Sequence, residues 1–264
     1  SFYAAVVIIF IFVGLYLFPE LNWTLNKFSI EYGIGYLGLK SDLGNIPNVY
    51  FRWTAWLLLG FSISLYCDHL LKSLVIFIAS LLTLSTAIIS ATLVIYFIYL
   101  KNTKKIANYR MVIVILAILI SMYFYPLLFE NFISKFSSDS FSTSVKIGHI
   151  ISAINEWLSN GSSFLFGMGV GTEFFTMGTN SNTVAIEPSY ANLLRQFGII
   201  GSTVFLLYIS HVFLMIKSQD RLVQGVKYGI IGILFVGATN PIFFSVLLFF
   251  PLLILKSHLL KTRG

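Results

Sequence analysis

Apolar residues run along this chain in long unbroken stretches rather than in short alternating ones. The stretches at 2–18, 51–66, 111–129 and 189–216 each read as one helix, and crossing the hydrocarbon core of a bilayer takes ~20 apolar residues. Two further runs, 70–100 and 226–256, are too long for a single crossing. One helix of about thirty residues would measure about 45 Å, against a core of about 30 Å. Each run is interrupted midway, by LTLST at Leu82–Thr86 and by ATNP at Ala238–Pro241. Pro241 removes a helix hydrogen bond and biases Asn240 away from helical geometry, so 226–256 is predicted to be a hairpin of two short helices. For 70–100 a hairpin with its tip near Thr83–Thr86 follows from the length and from the charge balance given below.

Between the apolar runs lie two polar segments, 19–50 and the longer one from Glu130 to Glu187. Loops this long inside compact proteins usually carry function. Within the second, Ile147, Ile150, Ile151, Ile154, Trp157 and Leu158 recur at helical spacing, and Lys146, His149, Asn155 and Glu156 take the opposite face. This pattern predicts an amphipathic helix lying in the outer interface of a membrane, with Trp157 as an anchor.

Composition sharpens the class. The chain is 57% hydrophobic and 10% charged, against about 25% charged in soluble domains. The expected fold is an all-α polytopic membrane protein, residues 1–264 forming a single membrane domain with the loop 130–187 inserted between helices. Because Ser1 opens directly into an apolar run, further helices are expected upstream of it. The single cysteine, Cys67, has no internal disulfide partner and reads as a small buried residue in a short cytoplasmic turn.

The net charge of +7 is unevenly spread. Lys101, Lys104, Lys105 and Arg110 cluster in one connection; Lys217, Arg221 and Lys227 mark another, and Lys256, Lys261 and Arg263 form a basic tail. The excess of Lys and Arg in cytoplasmic loops assigns all three to the inside. With both long runs as hairpins, the outer segments hold six basic residues against eight acids, and the inner ones eleven against Asp68 and Asp220. The expected topology is therefore about eight crossings, both ends cytoplasmic and 130–187 outside. The basic groups lie beside apolar runs and accompany no nucleic-acid motif, so no nucleic-acid partner is expected.

Four stretches, in order, carry a resemblance. A small-residue loop holds a Pro-Asn pair in SDLGNIPNVYFRW (Ser41–Trp53). LTLST follows at a hairpin tip. A long external loop then contains a basic residue heading an amphipathic helix and a glycine turn, FLFGMGVGTEF (Phe164–Phe174). Last comes EPSYANLLRQFGIIG (Glu187–Gly201), closed by Gly198 and Gly201. From about Tyr32 to Phe250 this order resembles the O-antigen polymerase and ligase superfamily, the Wzy-type polysaccharide polymerases and their ligase relatives. Two departures stand out: Thr86 and Lys146 occupy positions where members often carry arginine.

The resemblance implies a glycosyltransferase of the bacterial cytoplasmic membrane with its active site facing outward. Its substrates would be oligosaccharide repeat units carried on undecaprenyl diphosphate, joined into O-antigen, capsule or exopolysaccharide. A flippase and a regulator of chain length are the implied partners, beside membrane lipids. Such transfer needs a group to take a sugar hydroxyl proton and fixed positive charge where the diphosphate leaves; an activated glycosyl phosphate demands no cofactor and no metal.

Glu187 suits the first role. Pro188 fits the first helical position, placing Glu187 at the helix cap, where a carboxylate suits the positive end of the helix; a simple cap is the plainer alternative. Arg195, about 12 Å along that helix, and Arg52, at the outer mouth of the second span, are candidate diphosphate contacts, because a charge at such depth normally faces a polar interior. Snorkelling to the interface, or pairing with another helix's carbonyls, is the alternative for Arg195, and snorkelling is the alternative for Arg52. Lys146 and His149 share one face of the loop helix and would meet substrate together, unless His149 is simply a surface residue. Tyr190 matches the family position. Glu187, Arg195, Lys146 and Arg52 are expected to converge on one external cavity. Gly167, Gly169 and Gly171 do not form a dinucleotide fingerprint, and His211 and His258 have no partners at metal-ligand spacing.

Two other functions fit parts of the pattern. A ligase of the same superfamily would carry histidine where Glu187 stands. A transporter of polysaccharide or lipid would also have broken helices, but with internal repeats and polar groups near the membrane midplane.

Overall fold

The computed structural model describes residues 1–40, 45–51, 53–103, 141–216, 219–243 and 245–261. The expected helix at 111–129 lies outside these residues, as do Lys104, Lys105, Arg110 and Arg52. The described chain is mostly helical, in the order α1 (Phe2–Leu17), α2 (Leu21–Glu31), β1 (Gly35–Lys40), β2 (Ile46–Phe51), α3 (Trp56–Tyr66), α4 (Leu70–Leu82), α5 (Thr86–Thr103), α6 (Phe141–Trp157), α7 (Gly161–Phe166), β3 (Phe174–Thr176), β4 (Ser181–Thr183), α8 (Ser189–Met215), α9 (Arg221–Val236) and α10 (Val246–Lys261). Two of these helices, α5 and α8, are long and apolar enough to cross a membrane; α1, α3, α4 and α10 are shorter apolar helices. The chain packs as two compact units, Ser1–Phe132 with Gln219–Ile233, and Ile133–Ser218 with Leu234–Gly264.

In the first unit, α4 packs against α1 and α3, and α3 also packs against α5. The run 70–100 breaks at the predicted tip although no proline or glycine stands there. The Thr83 hydroxyl donates to the Ser80 carbonyl at 2.7 Å and accepts from the Ser85 N–H at 3.3 Å. Such local bonds compete with the helical ladder, and Leu84 turns the chain in a left-handed conformation, φ 50°. Gly225, Gly229 and Gly232 form a small-residue stripe on α9. A Cβ at Gly225 would lie 2.7 Å from the Ile63 Cα, and one at Gly229 3.0 Å from the Leu59 Cα, so α9 and α3 meet nearly backbone to backbone, as small-residue stripes permit in membranes. Beside them Arg221 pairs with Asp68 in the α3–α4 turn.

The segment 19–50 adds a short ribbon to the mostly helical fold. It forms α2 and an antiparallel ribbon in which Gly35 pairs with Phe51 and Lys40 with Ile46. Leu37 and Val49, opposite one another, are buried, giving the ribbon one apolar face. Asn22 ties α2 to it by accepting the Leu39 N–H at 2.7 Å.

In the second unit, α6 and α7 pack on α8, α6 packs on β3, and α10 packs on α8. A second short ribbon, β3–β4, pairs Phe174 with Thr183 and Thr176 with Ser181. The helix α6 forms where the periodicity places it. His149, Ser152 and Ala153 turn inward and are buried, while Ile147, Ile151, Ile154 and Leu158 are exposed; of the polar face only His149 is enclosed, with Lys146 and Glu156 half-buried and Asn155 exposed. The run 226–256 is broken: α9 stops at Val236, the chain turns through Thr239–Pro241, and α10 begins at Val246. Asn240 caps the break, its N–H reaching the Val236 carbonyl at 3.0 Å.

Candidate functional site

The site is built on the first turns of α8. Pro188 occupies the cap position with extended backbone and no side-chain cap bond, so Glu187 precedes the helix rather than capping it. Ser189 locks this start to the break after α9. Its N–H donates to the Gly237 carbonyl at 3.0 Å, its hydroxyl donates to the Asn240 carbonyl, and it accepts the Ile242 N–H at 2.8 Å. Tyr190 adds a hydroxyl bond to the Leu234 carbonyl at 3.1 Å and an edge contact with Phe243, ring centroids 4.5 Å apart. Tyr190 is thus partly committed to holding the helix start, although its ring stays exposed. The ATNP break serves as the socket for α8.

Glu187, released from capping, meets Lys146 of α6 at 3.6 Å, with side chains 51% and 31% exposed. These two expected site residues come together and face solvent. Three residues further along α6, His149 is 5% exposed, which corrects its placement on the surface. Its Nδ1 lies 2.7 Å from the Thr176 hydroxyl of β3. Gly178 closes over it: a Cβ there would stand 2.9 Å from the imidazole and 2.3 Å from the Val145 carbonyl. Burial lowers the proton affinity of His149, partly offset by the Glu187 charge.

Arg195 takes the carbonyl-pairing alternative. It is 0% exposed and so does not open onto an external cavity. Nη1 donates to the Thr172 carbonyl at 3.0 Å, and Nη2 to the Val184 carbonyl at 2.8 Å and to Asn192 at 3.3 Å. The guanidinium lies 4.1 Å from the centroid of the Phe174 ring. Its planar fork thereby gathers both ends of the β3–β4 ribbon onto α8, a geometry that suits arginine and not lysine. Only Nε lacks a hydrogen-bond partner among the described residues. Gln196 adds a bond to the same Val184 carbonyl at 3.3 Å, and Phe174, Ala153 and Ile186 form a small apolar core beside the arginine.

The glycines of the resemblance acquire a geometric role. At Gly198 (φ 63°, ψ −172°) α8 departs from helical geometry, which releases carbonyl groups one turn earlier. The Met168 N–H takes that of Arg195 at 2.8 Å, and the Gly169 N–H that of Gln196 at 3.1 Å. The glycine turn therefore docks on the kink. Thr176, Asn192 and Gln196 were missed from sequence; the three-residue spacing of Asn192 and Arg195 was the one available signal.

Among the described residues no group of three His, Cys, Asp or Glu side chains is placed to hold a metal. The chain matches no protein-family model, no curated protein and no solved structure.

Proposed function

We propose that the chain is a multi-pass membrane glycosyltransferase that polymerises lipid-diphosphate-linked oligosaccharides on the outer face of the bacterial cytoplasmic membrane. The observation that carries this reading is the solvent-open pair Lys146–Glu187 at the head of α8, a helix of bilayer length. Support comes also from the outward aliphatic face of α6, from the breaks in both long apolar runs, and from the ordered motifs that resemble the O-antigen polymerases. About eight crossings with both ends cytoplasmic belong to this proposal.

In the proposed step a sugar hydroxyl oxygen attacks the anomeric carbon of the lipid-linked chain. The new C–O bond forms as the bond to phosphate breaks, and the lipid diphosphate leaves with the electron pair. Glu187 takes the hydroxyl proton. Lys146 supplies positive charge beside the leaving group and holds the carboxylate in place until substrate enters. Arg195 acts through the loop: it positions Glu187 and Lys146 and does not contact the diphosphate. Arg52 keeps its proposed role as a diphosphate contact on sequence grounds alone.

The test is deletion of the gene followed by inspection of the surface polysaccharide. Loss of long chains with single repeat units retained supports polymerisation. An unchanged ladder rejects it, and retained free polymer that no longer reaches its lipid acceptor indicates the ligase.

A further inference from the structure

On α2, positions 23, 26, 27, 30 and 31 share one helix face, the spacing that normally marks a buried stripe. Here that face points outward: Trp23 is 72% exposed and Ile30 71%. The inner side of α2 is polar and occupied, Asn22 by the Leu39 N–H and the buried Ser29 by the Asn26 carbonyl. The outer residues Trp23, Asn26, Lys27, Ile30 and Glu31 line an open groove of about 460 Å³, within the ~300–1,000 Å³ typical of ligand sites. The Lys27 ammonium lies 5.2 Å from the centroid of the Trp23 ring. The Asn26 Oδ1 is buried and has no donor among the described residues, so the acceptor side of this amide is uncommitted.

We propose that this face of α2 is a glycan subsite that holds a pyranose unit of the polymer. A pyranose presents an apolar C–H face and a rim of hydroxyl groups. The Trp23 ring supplies a rigid apolar platform, while Asn26, Lys27 and Glu31 supply donors and acceptors for the rim. The alternative occupant is the bilayer. The groove lining itself, which sets an amide and both signs of charge beside the Trp23 ring, favours a ligand that carries hydroxyl groups. The identity of the glycan rests on the proposed polymerase function; the groove itself does not.

The test uses the purified full chain in lipid nanodiscs. The probe is the repeat-unit oligosaccharide released by mild acid from the surface polysaccharide of the producing cell. Tryptophan emission is read during acrylamide quenching. The expected result is that the oligosaccharide shields part of the emission, that Trp23→Ala removes this shielding, and that Trp23→Tyr keeps binding. Asn26→Leu is expected to weaken binding about tenfold, the scale of one lost hydrogen bond. No shielding, together with strong quenching of the Trp23 emission by brominated lipids, overturns the proposal and makes Trp23 a bilayer anchor. Shielding combined with an intact polysaccharide ladder in the deletion strain would leave the subsite standing and remove the polymerase reading. Loss of the ladder without shielding would do the reverse.

Discussion

Gly198, inside α8, lies backbone to backbone against Gly167 at the end of α7: a Cβ on Gly198 would stand 2.5 Å from the Gly167 nitrogen. Both residues have positive φ, 63° and 77°. Two demands therefore fall on one position, a left-handed conformation and room for a neighbouring backbone.

Gly198→Ala is expected to destabilise the second unit by about 2–5 kcal/mol, from ~1–2 for the left-handed backbone and ~1–3 for the clash. Gly161→Ala, facing open space, is expected to be neutral or to stabilise by up to ~1 kcal/mol. Thermal unfolding in detergent compares them. Equal melting of Gly198→Ala and the parent would refute the close packing.

Arg195→Lys is expected to behave nearly as badly as Arg195→Ala. Lysine cannot reach the Thr172 and Val184 carbonyls together, and hydrogen bonds to a charged group contribute ~1.5–3 kcal/mol each. Limited proteolysis should cut both variants between 160 and 187 faster than the parent. A resistant loop in Arg195→Lys would return this residue to a substrate-contact role.

His149 makes the loop acid-sensitive. Its folded proton affinity is lowered by burial, so the unfolded chain, titrating near the ordinary value of about 6.5, binds the proton first as pH falls. Stability is full above that value and declines below it until the folded imidazole also titrates. Unfolding midpoints measured between pH 8 and pH 5 should fall for the parent, and the fall should shrink in His149→Asn. Identical pH profiles would clear His149 of this role.

Glu187→Gln separates chemistry from stability. A half-exposed ion pair contributes about 0–1 kcal/mol, so abundance and melting should barely change. In the proposed mechanism the substitution removes the general base, which lowers turnover by ~10²–10⁴-fold and would leave little polymer. A full polysaccharide ladder at normal abundance would remove Glu187 from the mechanism.

Orientation is checked by single cysteines in a Cys67→Ser background. The native thiol is a weak reporter, since burial and the nearby Asp220 push its proton affinity up. Asn160→Cys should react with an impermeant reagent in intact cells and Lys104→Cys should not. The opposite pattern would invert the proposed topology.

Much of the helical layout is legible in the sequence, because it follows from short-range rules. The length of 226–256 and its Asn-Pro pair locate the break after Val236, and the isoleucine spacing locates α6. The break at Leu84 was legible only from length and charge: the Thr83 hydroxyl, an ordinary residue in an ordinary context, makes the turn. The ribbon β1–β2 was missed because Leu37 and Val49 become a buried pair only once two segments meet.

The fates of the charged residues were decided by tertiary structure. Sequence places Arg195 inside an apolar helix and says that its charge needs polar company. It cannot say whether that company is a substrate phosphate or the carbonyls of Thr172 and Val184, which belong to backbone and leave no trace in residue type. The same holds for His149, enclosed by Gly178, and for Glu187, freed from the cap because Pro188 took it. Periodicity and proline act through neighbours in the chain, so the sequence alone locates the amphipathic helix α6 and the break after Val236. Which groups meet across tens of residues depends on packing, and packing alone separated the solvent-open pair Lys146–Glu187 from the buried clamp beneath it.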